Sequence, residues 1–355
     1  MADWTPDRHE ILRNEAPWEA HLVEGPFILR RGDWFHLFYS ADACCGRNCN
    51  YKLGVARSRT LLGSWERHPG NPILAGNDHW KCPGPGSIVT DAAGRTLLLY
   101  HAYHPIDFEH VGRQGLLDEV TWDAQGWPAI NAGRGPSHTA ASSADKPAPV
   151  VSVADEFRNR VLDPAWQWPW DQEQRPALDS SRGGWLVLST AAAPSAAPLT
   201  VAARPAPAGT YTAMTSIDAA SLPAGLRAGL SAFGNRNNLL AVTVERSQPD
   251  GPGRAAGGLT IVAWQVQKGA RTTLATERVE VGQTAHLRLQ AVARSRFEFA
   301  VSADGRTWKP VGTPAEGGYL PPWDLAVRIA LIADGAPRAR ARFGRFLLTP
   351  APTGR

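Results

Sequence analysis

The chain has 355 residues, of which 43% are apolar, and its formal net charge is +4. This length accommodates two domains with separate cores, and the apolar fraction is typical of a globular protein and not of a disordered one. The charge is too small and too dispersed for a nucleic-acid-binding stripe, and no apolar run reaches the roughly 20 residues that a membrane-spanning helix needs. We therefore expect neither nucleic acid nor a membrane as a partner.

The tryptophan content of the chain is unusually high. The sequence has 14 tryptophans together with 34 glycines and 29 prolines. This combination is typical of β-rich proteins whose aromatic faces stack on sugars, and core packing is the alternative explanation for most of the tryptophans. The composition favours an all-β chain without deciding between these two explanations.

The first feature along the chain is a carboxylate at the start of an apolar strand. Glu24 precedes the apolar residues 27–29, and the chain turns at residues 31–33 into a second, aromatic strand. Trp18 is near Glu24 in sequence. Burial against apolar walls raises the pKa of a carboxyl group, so we expect Glu24 to be protonated near neutral pH and to serve as a general acid. The alternative is that Glu24 caps a turn and points to solvent.

Four cysteines follow this hairpin: Cys44, Cys45, Cys49 and Cys82. A zinc site is one interpretation, but the adjacent first pair departs from the C-x-x-C spacing of such sites. We favour a disulfide that pins the loop, with Cys82 reaching into it. Disulfides favour an extracytoplasmic location, whereas residues 1–10 contain no signal peptide pattern, so the location stays open.

The region that begins at Pro26 contains a repeat. Gly25 and Gly86 are 61 residues apart, and so are the segments 39–41 and 100–102. Each repeat holds three or four short strands, which is typical of propeller blades. Because a propeller closes with about four to eight blades, two blades predict that the sequence begins part-way through a larger domain. The alternative is that a second chain supplies the remaining blades.

Residues 15–137 resemble glycoside hydrolase family 43. The order and spacing of several motifs carry the resemblance: VEGPF at 23–27, GDWFHLFYS at 32–40, LGVARS at 53–58, NPIL at 71–74, PGPGSIV at 83–89, YHAY at 100–103 and DAQGWP at 123–128. The resemblance implies a five-bladed β-propeller that hydrolyses arabinose- or xylose-type glycosides with inversion. In this mechanism one carboxylic acid protonates the leaving oxygen, and a carboxylate on the opposite face activates water.

The resemblance also assigns residues to roles. Glu24 occupies the position of the general acid, and Arg113 matches an arginine that hydrogen-bonds sugar hydroxyls. His101 is a further candidate for substrate binding, with a satisfied core histidine as its alternative. Trp18 is a candidate for stacking on a sugar ring, with simple packing beside Glu24 as its alternative.

The sequence departs from the family at two points. The general base and the residue that tunes the acid are aspartates of the first two blades, which are missing here. Asp3 and Asp7 lie in a polar leader without a strand pattern, so neither is assigned as the base. Pro85 stands where the family carries a histidine that contacts substrate or, through water, a central metal ion. Because proline offers no ligand, we expect no cofactor and no central calcium.

Residues 154–350 predict a β-sandwich, after a linker at 138–153 that is rich in Ser, Ala and Pro. A hairpin turn is predicted at 302–305. This region resembles the C-terminal concanavalin-A-like sandwich, a jelly roll, of many family 43 β-xylosidases through LDPAWQW at 162–168, SADGRTW at 302–308 and WDLAVR at 323–328. The predicted strands are 185–188, 211–214, 228–233, 239–244, 287–292 and 297–301.

The sequence therefore predicts an all-β chain with a partial five-bladed propeller at 1–137 and a sandwich at 154–350. The resemblance implies a hydrolase of arabinose- or xylose-type glycosides in plant polysaccharides, weak or inactive alone, whose partner is an oligosaccharide or polysaccharide. One alternative is a non-hydrolytic carbohydrate-binding fragment. Another is one half of a split hydrolase, in which a second chain supplies the missing blades. The sugar, the linkage and the choice between exo and endo action stay open.

Overall fold

The computed structural model describes residues 9–106, 108–138, 152–180, 183–192, 199–247, 258–278, 280, 282–292, 295–320 and 325–351. The chain divides into two units: Met1–Phe108 with Arg113–Pro147, and Glu109–Gly112 with Ala148–Arg355. The boundaries predicted from sequence, 1–137, 138–153 and 154–350, stay predictions. Most of the predicted linker (139–151) lies outside the described residues, as do Asp3, Asp7 and residues 323–324.

The first unit contains two four-stranded antiparallel sheets, each a meander in chain order. The strands of the first sheet are β1 (Val23–Arg31), β2 (Trp34–Ala41), β3 (Lys52–Ser58) and β4 (Glu66–Arg67). Those of the second are β5 (Gly86–Thr90), β6 (Thr96–Tyr103), β7 (Arg113–Trp122) and β8 (Pro128–Ile130). A four-stranded meander is the unit of a β-propeller, so the sheets are the two blades that the repeat predicts.

The predicted turn between the first two strands is a tight hairpin. Arg31 pairs with Trp34 across the two-residue turn, and Gly32 has a φ of +59°, a value that glycine adopts without strain. Strand β2 is buried from His36 to Ala41, because it lies inside its sheet and packs on both faces. Two 3₁₀ turns, at Pro17–Glu19 and Asn131–Gly133, also belong to this unit. Of α1 (Phe108–Val111), residues 109–111 fall in the second unit.

The two blades share one apolar core. Its buried residues come from both sheets: Phe38, Leu53, Val55, Leu74, Leu98, Tyr100, Ala102, Leu116, Val120, Trp127 and Ile130. Polar contacts reinforce the junction, since His36 Nε2 lies 3.0 Å from the Gly126 carbonyl oxygen and Arg57 Nη1 donates to the Gln125 carbonyl at 2.7 Å. The blades therefore form one packed body.

The second unit is a sandwich of two antiparallel sheets. The larger sheet runs β10-β11-β23-β13-β18-β19-β20, with β9 paired to β23 and β21 paired to β19. Its strands are β9 (Val153–Asp155), β10 (Ala177–Asp179), β11 (Trp185–Ser189), β13 (Tyr211–Asp218), β18 (Thr284–Val292), β19 (Arg296–Ser302), β20 (Lys309–Pro310), β21 (Ala315–Glu316) and β23 (Arg340–Pro350).

The smaller sheet has six strands in the order β12-β22-β14-β15-β16-β17. They are β12 (Thr200–Pro205), β14 (Leu226–Asn235), β15 (Asn238–Arg246), β16 (Leu259–Gln267), β17 (Ala270–Arg278) and β22 (Arg328–Gly335). The main core lies between the two sheets, and a second apolar cluster that includes Phe233 and Trp264 covers the other face of the smaller sheet. The predicted β-sandwich is confirmed.

A hairpin joins β19 to β20 as predicted, but its connection spans residues 303–308 and is longer than the predicted turn at 302–305. Asp304 accepts hydrogen bonds from the backbone N–H groups of Arg306 and Thr307, each at 2.8 Å. These donors, together with the Ser302 hydroxyl, lower the pKa of Asp304 well below its ordinary value. Within the part of the chain that the structure describes, no helix has both the length and the apolar character to cross a membrane.

Candidate active site

Glu24 lies at the second position of β1, opposite Ser40 of β2 and next to a bulge in the pairing. Its carboxylate oxygen Oε1 accepts a hydrogen bond from the Tyr51 hydroxyl at 2.7 Å. The side chain of Glu24 is exposed, whereas Tyr51 is only 1% exposed. A rigid, buried phenol therefore orients an exposed carboxylate.

The expectation that Glu24 is buried against apolar walls is wrong. Side chains alternate along β1, so Val23, Phe27 and Leu29 are half-buried while Glu24 is exposed. Trp18 packs elsewhere: its ring centroid lies 5.6 Å from that of Tyr39, and it is half-buried in an apolar cluster with Tyr39 and Leu37. A role for Trp18 in sugar binding stays a prediction.

Tyr51 was not singled out from the sequence. Burial, then the hydrogen bond to Glu24 and the negative charge of that carboxylate, raise the pKa of Tyr51 above its ordinary value. The positive charge of Arg113 opposes this rise. Tyr51 therefore stays protonated, and able to donate to Glu24, throughout the neutral range. The local sequence around Tyr51 does not indicate this role, because its partner Glu24 is 27 residues away.

Arg113 and His101 lie together at one end of the second blade. Arg113 begins β7 and pairs with Tyr103 of β6, two residues beyond His101. Arg113 Nη1 lies 3.4 Å from His101 Nε2, close enough to donate to an unprotonated ring nitrogen. The charge of Arg113 also acts on Tyr51, the hydrogen-bond partner of Glu24, so Glu24, Arg113 and His101 lie in the same region of the first unit.

Pro85 packs directly against Gly25, the residue that follows Glu24. A Cβ added at Gly25 would lie 2.4 Å from Cβ of Pro85, and the φ of Gly25 is +60°, so only glycine fits there. The apolar ring thus fills the position where the resemblance implies a histidine. Among the described residues, no group of three or more His, Cys, Asp or Glu side chains could hold a metal ion. The residues present do not fit the calcium arrangement, and the absence of a cofactor stays a prediction.

A second carboxylate, Glu19, is fully buried close to Glu24 in sequence. Tyr39 donates to its Oε1 at 2.6 Å, Arg67 Nε donates to the same oxygen at 2.8 Å, and the backbone N–H groups of Glu15 and Ala16 donate to Oε2. Burial acts to raise the pKa of Glu19, but these hydrogen bonds outweigh it, so the pKa is lowered. Glu19 is therefore a fixed anion that no substrate reaches.

The four cysteines form disulfides and not a zinc site. The pairs are Cys44–Cys45 and Cys49–Cys82. The second bond joins the loop between β2 and β3 to the segment before β5, as expected for a disulfide that pins the loop. It lies two residues before Tyr51 and three before Pro85, so it ties together the two segments that contact Glu24 and Gly25.

Comparisons with known proteins give two family matches and several similar proteins. The family described as glycosyl hydrolases family 43 matches residues 3–128, and the family described as β-xylosidase C-terminal concanavalin A-like domain matches residues 154–322. An extracellular exo-α-(1→5)-L-arabinofuranosidase of Cellvibrio japonicus is 30% identical over 130 residues, which are 34% of this chain and 37% of that protein. An extracellular endo-α-(1→5)-L-arabinanase of Bacillus subtilis is 30% identical over 122 residues, which are 32% of this chain and 36% of that protein.

Among solved structures, the GH43 protein BlXynB of Bacillus licheniformis superposes with a TM-score of 0.75 at 22% identity, over 93% of this chain and 65% of that chain. This likeness shows the fold. The chain thus spans little more than a third of the two curated relatives and about two thirds of the structural neighbour. The chain is thus similar to glycosyl hydrolases of family 43 over residues 3–128 and to the β-xylosidase C-terminal concanavalin A-like domain over residues 154–322.

Proposed function

We propose that this chain provides the acid-bearing part of a glycoside hydrolase site for arabinose- or xylose-containing polysaccharides. The observation that carries the proposal is the exposed Glu24 carboxylate, oriented by Tyr51 in the same region as Arg113 and His101. The family and the names of the relatives support the substrate class. An oligosaccharide or polysaccharide is therefore the proposed partner.

In this proposal Glu24 protonates the glycosidic oxygen of the leaving group. The Arg113 guanidinium and His101 hydrogen-bond sugar hydroxyls and hold the ring in register, and the Trp18 ring is a further candidate contact. Inversion requires a carboxylate about 6.5–9.5 Å from the acid to activate water on the opposite face. Glu19 does not serve, because Arg67 and Tyr39 hold both its charge and its orientation.

A second candidate is a non-hydrolytic saccharide-binding chain, or one half of a split hydrolase whose base comes from a second polypeptide. The state of Glu19 favours this candidate, since the described carboxylate nearest to Glu24 in sequence is unavailable as a base. A site with an acid and sugar-binding groups but without a base retains affinity while it loses most of the rate, because acid–base groups contribute about 10²–10⁴-fold each.

The test uses the purified chain with alkyl α-L-arabinofuranosides and alkyl β-D-xylosides, whose leaving groups require protonation. Glu24→Gln serves as the acid-deficient variant, and calorimetric titration with arabinotriose and xylotriose reports binding. Hydrolysis that is lost in Glu24→Gln supports the first proposal, and binding without hydrolysis supports the second candidate. Hydrolysis that Glu24→Gln leaves unchanged would refute the role of Glu24, and a folded chain with neither binding nor hydrolysis would refute both proposals.

We further propose an extracytoplasmic location. Two disulfides in the first unit suit an oxidising compartment. The two named relatives are described as extracellular, which agrees with this proposal. Mass spectrometry of the thiol-alkylated protein from its native source tests it: unmodified, paired cysteines are expected, and fully alkylated cysteines would contradict it.

A further inference from the structure

The second unit contains a groove of about 730 Å³ that the propeller chemistry does not use. Its walls are the loop 167–171, the hairpin turn 235–237 between β14 and β15, and the segment 325–328. Its apolar floor is built by Val201, Ala203 and Phe233. This volume lies within the range of small-molecule sites, about 300–1,000 Å³.

Trp170 projects from this loop with 90% of its surface exposed. An indole ring is large and apolar, so nearly complete exposure forgoes the stabilisation that burial gives, and it is uncommon for tryptophan in a protein with an ample core. Exposed aromatic rings of this kind supply flat contact area for a ligand at little cost in conformational entropy.

The loop that carries Trp170 is anchored at both ends. Gln167 and Ala203 exchange backbone hydrogen bonds at 2.8 and 2.7 Å. The Gln172 side chain accepts from the backbone N–H of Val201 at 2.8 Å and donates to the Val201 carbonyl at 3.0 Å. Both anchors fix the loop to β12, so the exposed ring is held in place before any ligand arrives. Such preorganisation lowers the entropic cost of binding.

Polar side chains on the rim are also held in fixed orientations. Arg236 Nη1 donates to both carboxylate oxygens of Asp171, at 2.7 and 2.8 Å, and Arg328 Nε donates to Gln167 Oε1 at 2.7 Å. A guanidinium has five N–H donors, so these contacts leave donors on both arginines for ligand oxygens. Asp171 and Arg236 neutralise each other, whereas the Gln167 partner of Arg328 is uncharged, so one positive charge stays on the rim.

We propose that this groove binds a short oligosaccharide, with one sugar ring stacked on Trp170. A sugar offers a flat apolar C–H face for the indole and a rim of hydroxyl groups for the arginines and for Asp171. Of the floor residues, Ala203 and Phe233 retain a little exposed surface for the sugar, whereas Val201 is fully buried. The residues of this site all belong to the second unit, so the proposal is independent of hydrolysis at Glu24.

The experiment measures the dissociation constant of xylohexaose by calorimetry and the retardation of the chain in gels that contain soluble arabinoxylan. Both use full-length protein in a Glu24→Gln background so that the saccharide is not cleaved. Trp170→Ala is expected to weaken binding about tenfold or more, as for other aromatic anchors, while Trp170→Tyr keeps part of the affinity. Trp308→Ala removes a tryptophan of the same unit outside the groove and is the matched control.

Two results would overturn the proposal. One is equal affinity and retardation in Trp170→Ala and Trp308→Ala, including the absence of binding in all variants. The other is a concentration-dependent oligomer in sedimentation that Trp170→Ala abolishes without any change in saccharide binding, because the groove would then be a contact surface for polypeptide.

Discussion

Two glutamates near the start of the first blade, Glu19 and Glu24, each accept a hydrogen bond from a tyrosine. They differ in burial and in the number of other groups that donate to them. Glu19 accepts from Tyr39 at 2.6 Å, and Glu24 accepts from Tyr51 at 2.7 Å. Glu19 is fully buried and also binds Arg67 and two backbone N–H groups. Glu24 is exposed, and its described contact occupies one carboxylate oxygen.

This difference separates a structural carboxylate from a candidate catalytic one. A buried anion with several donors is fixed in charge and orientation, so it ties the turn to the blade and exchanges no proton with a ligand. An exposed carboxylate with one donor is oriented but still accessible, as a general acid must be. The contact with tyrosine does not distinguish them; the accessibility and the number of further donors do.

The largest effect is expected for the rate of hydrolysis in Glu24→Gln. Removal of the acid should lower the rate about 10²–10⁴-fold, while the free energy of unfolding changes by no more than about 0.5 kcal/mol, because the side chain is exposed. Initial rates and urea unfolding measure the two quantities. Glu119→Gln, an exposed glutamate of β7, is the control and should change neither.

Removal of the Cys49–Cys82 disulfide should destabilise the first unit, because this bond joins two segments that contact Glu24 and Gly25. The two cysteines are 33 residues apart in sequence, so the disulfide closes a long loop and restricts the unfolded chain. The free energy of unfolding of the Cys49→Ser/Cys82→Ser double variant should therefore be lower than that of the wild type by about 3–4 kcal/mol. Urea unfolding measures this loss. Cys44→Ser/Cys45→Ser is the control, because adjacent residues close no chain loop. Equal losses in the two double variants would contradict the loop-closure explanation.

Glu19→Gln should destabilise the first unit by about 3 kcal/mol near pH 7, because it leaves Arg67 without its buried anion. The folded pKa of Glu19 is lowered, so its stabilisation is complete above the ordinary value of 4.5 and is lost as the pH falls through the lowered pKa. The difference in unfolding free energy between wild type and Glu19→Gln should therefore shrink below about pH 4.5. A difference that does not depend on pH would show that the ion pair is not its source.

Tyr51→Phe should have the smallest effect. It removes one hydrogen bond to a charged group while it keeps the buried ring, so the free energy of unfolding should fall by about 1–2 kcal/mol. We expect the hydrolysis rate to fall by roughly tenfold through misorientation of Glu24, with little change in KM. Tyr39→Phe is the matched control: it should reduce stability and not the rate. A loss of rate in Tyr39→Phe and not in Tyr51→Phe would contradict the assignment of Glu24 as the acid and of Glu19 as the structural carboxylate.

Much of the fold could be predicted from the sequence because its signals are local. The 61-residue spacing of Gly25 and Gly86 predicts two blades, and turn residues predict the hairpins at 31–34 and 302–305. Site residues that motif order identifies, Glu24 and Arg113, lie in the same region of the first unit. The resemblance to a family supplied the roles of these residues, whereas the local pattern supplied the strands.

The rest depends on pairings between distant residues. The Glu19–Arg67 contact joins residues 48 positions apart, and neither residue carries a local mark of its partner. Burial of Glu24 was predicted wrongly because an apolar neighbour in sequence does not reveal which face of β1 a side chain occupies. Four cysteines allow three pairings, and only the folded chain selects one of them.

The central claim, that Glu24 is a general acid, is tested most directly by the dependence of hydrolysis on the leaving group in wild type and Glu24→Gln. A leaving group of low pKa, such as dinitrophenolate, departs without protonation, whereas an alkyl alcohol does not. We predict that Glu24→Gln loses little rate on dinitrophenyl glycosides and about 10²-fold or more on alkyl glycosides. An equal loss on both substrates would contradict it and would assign Glu24 to binding or structure.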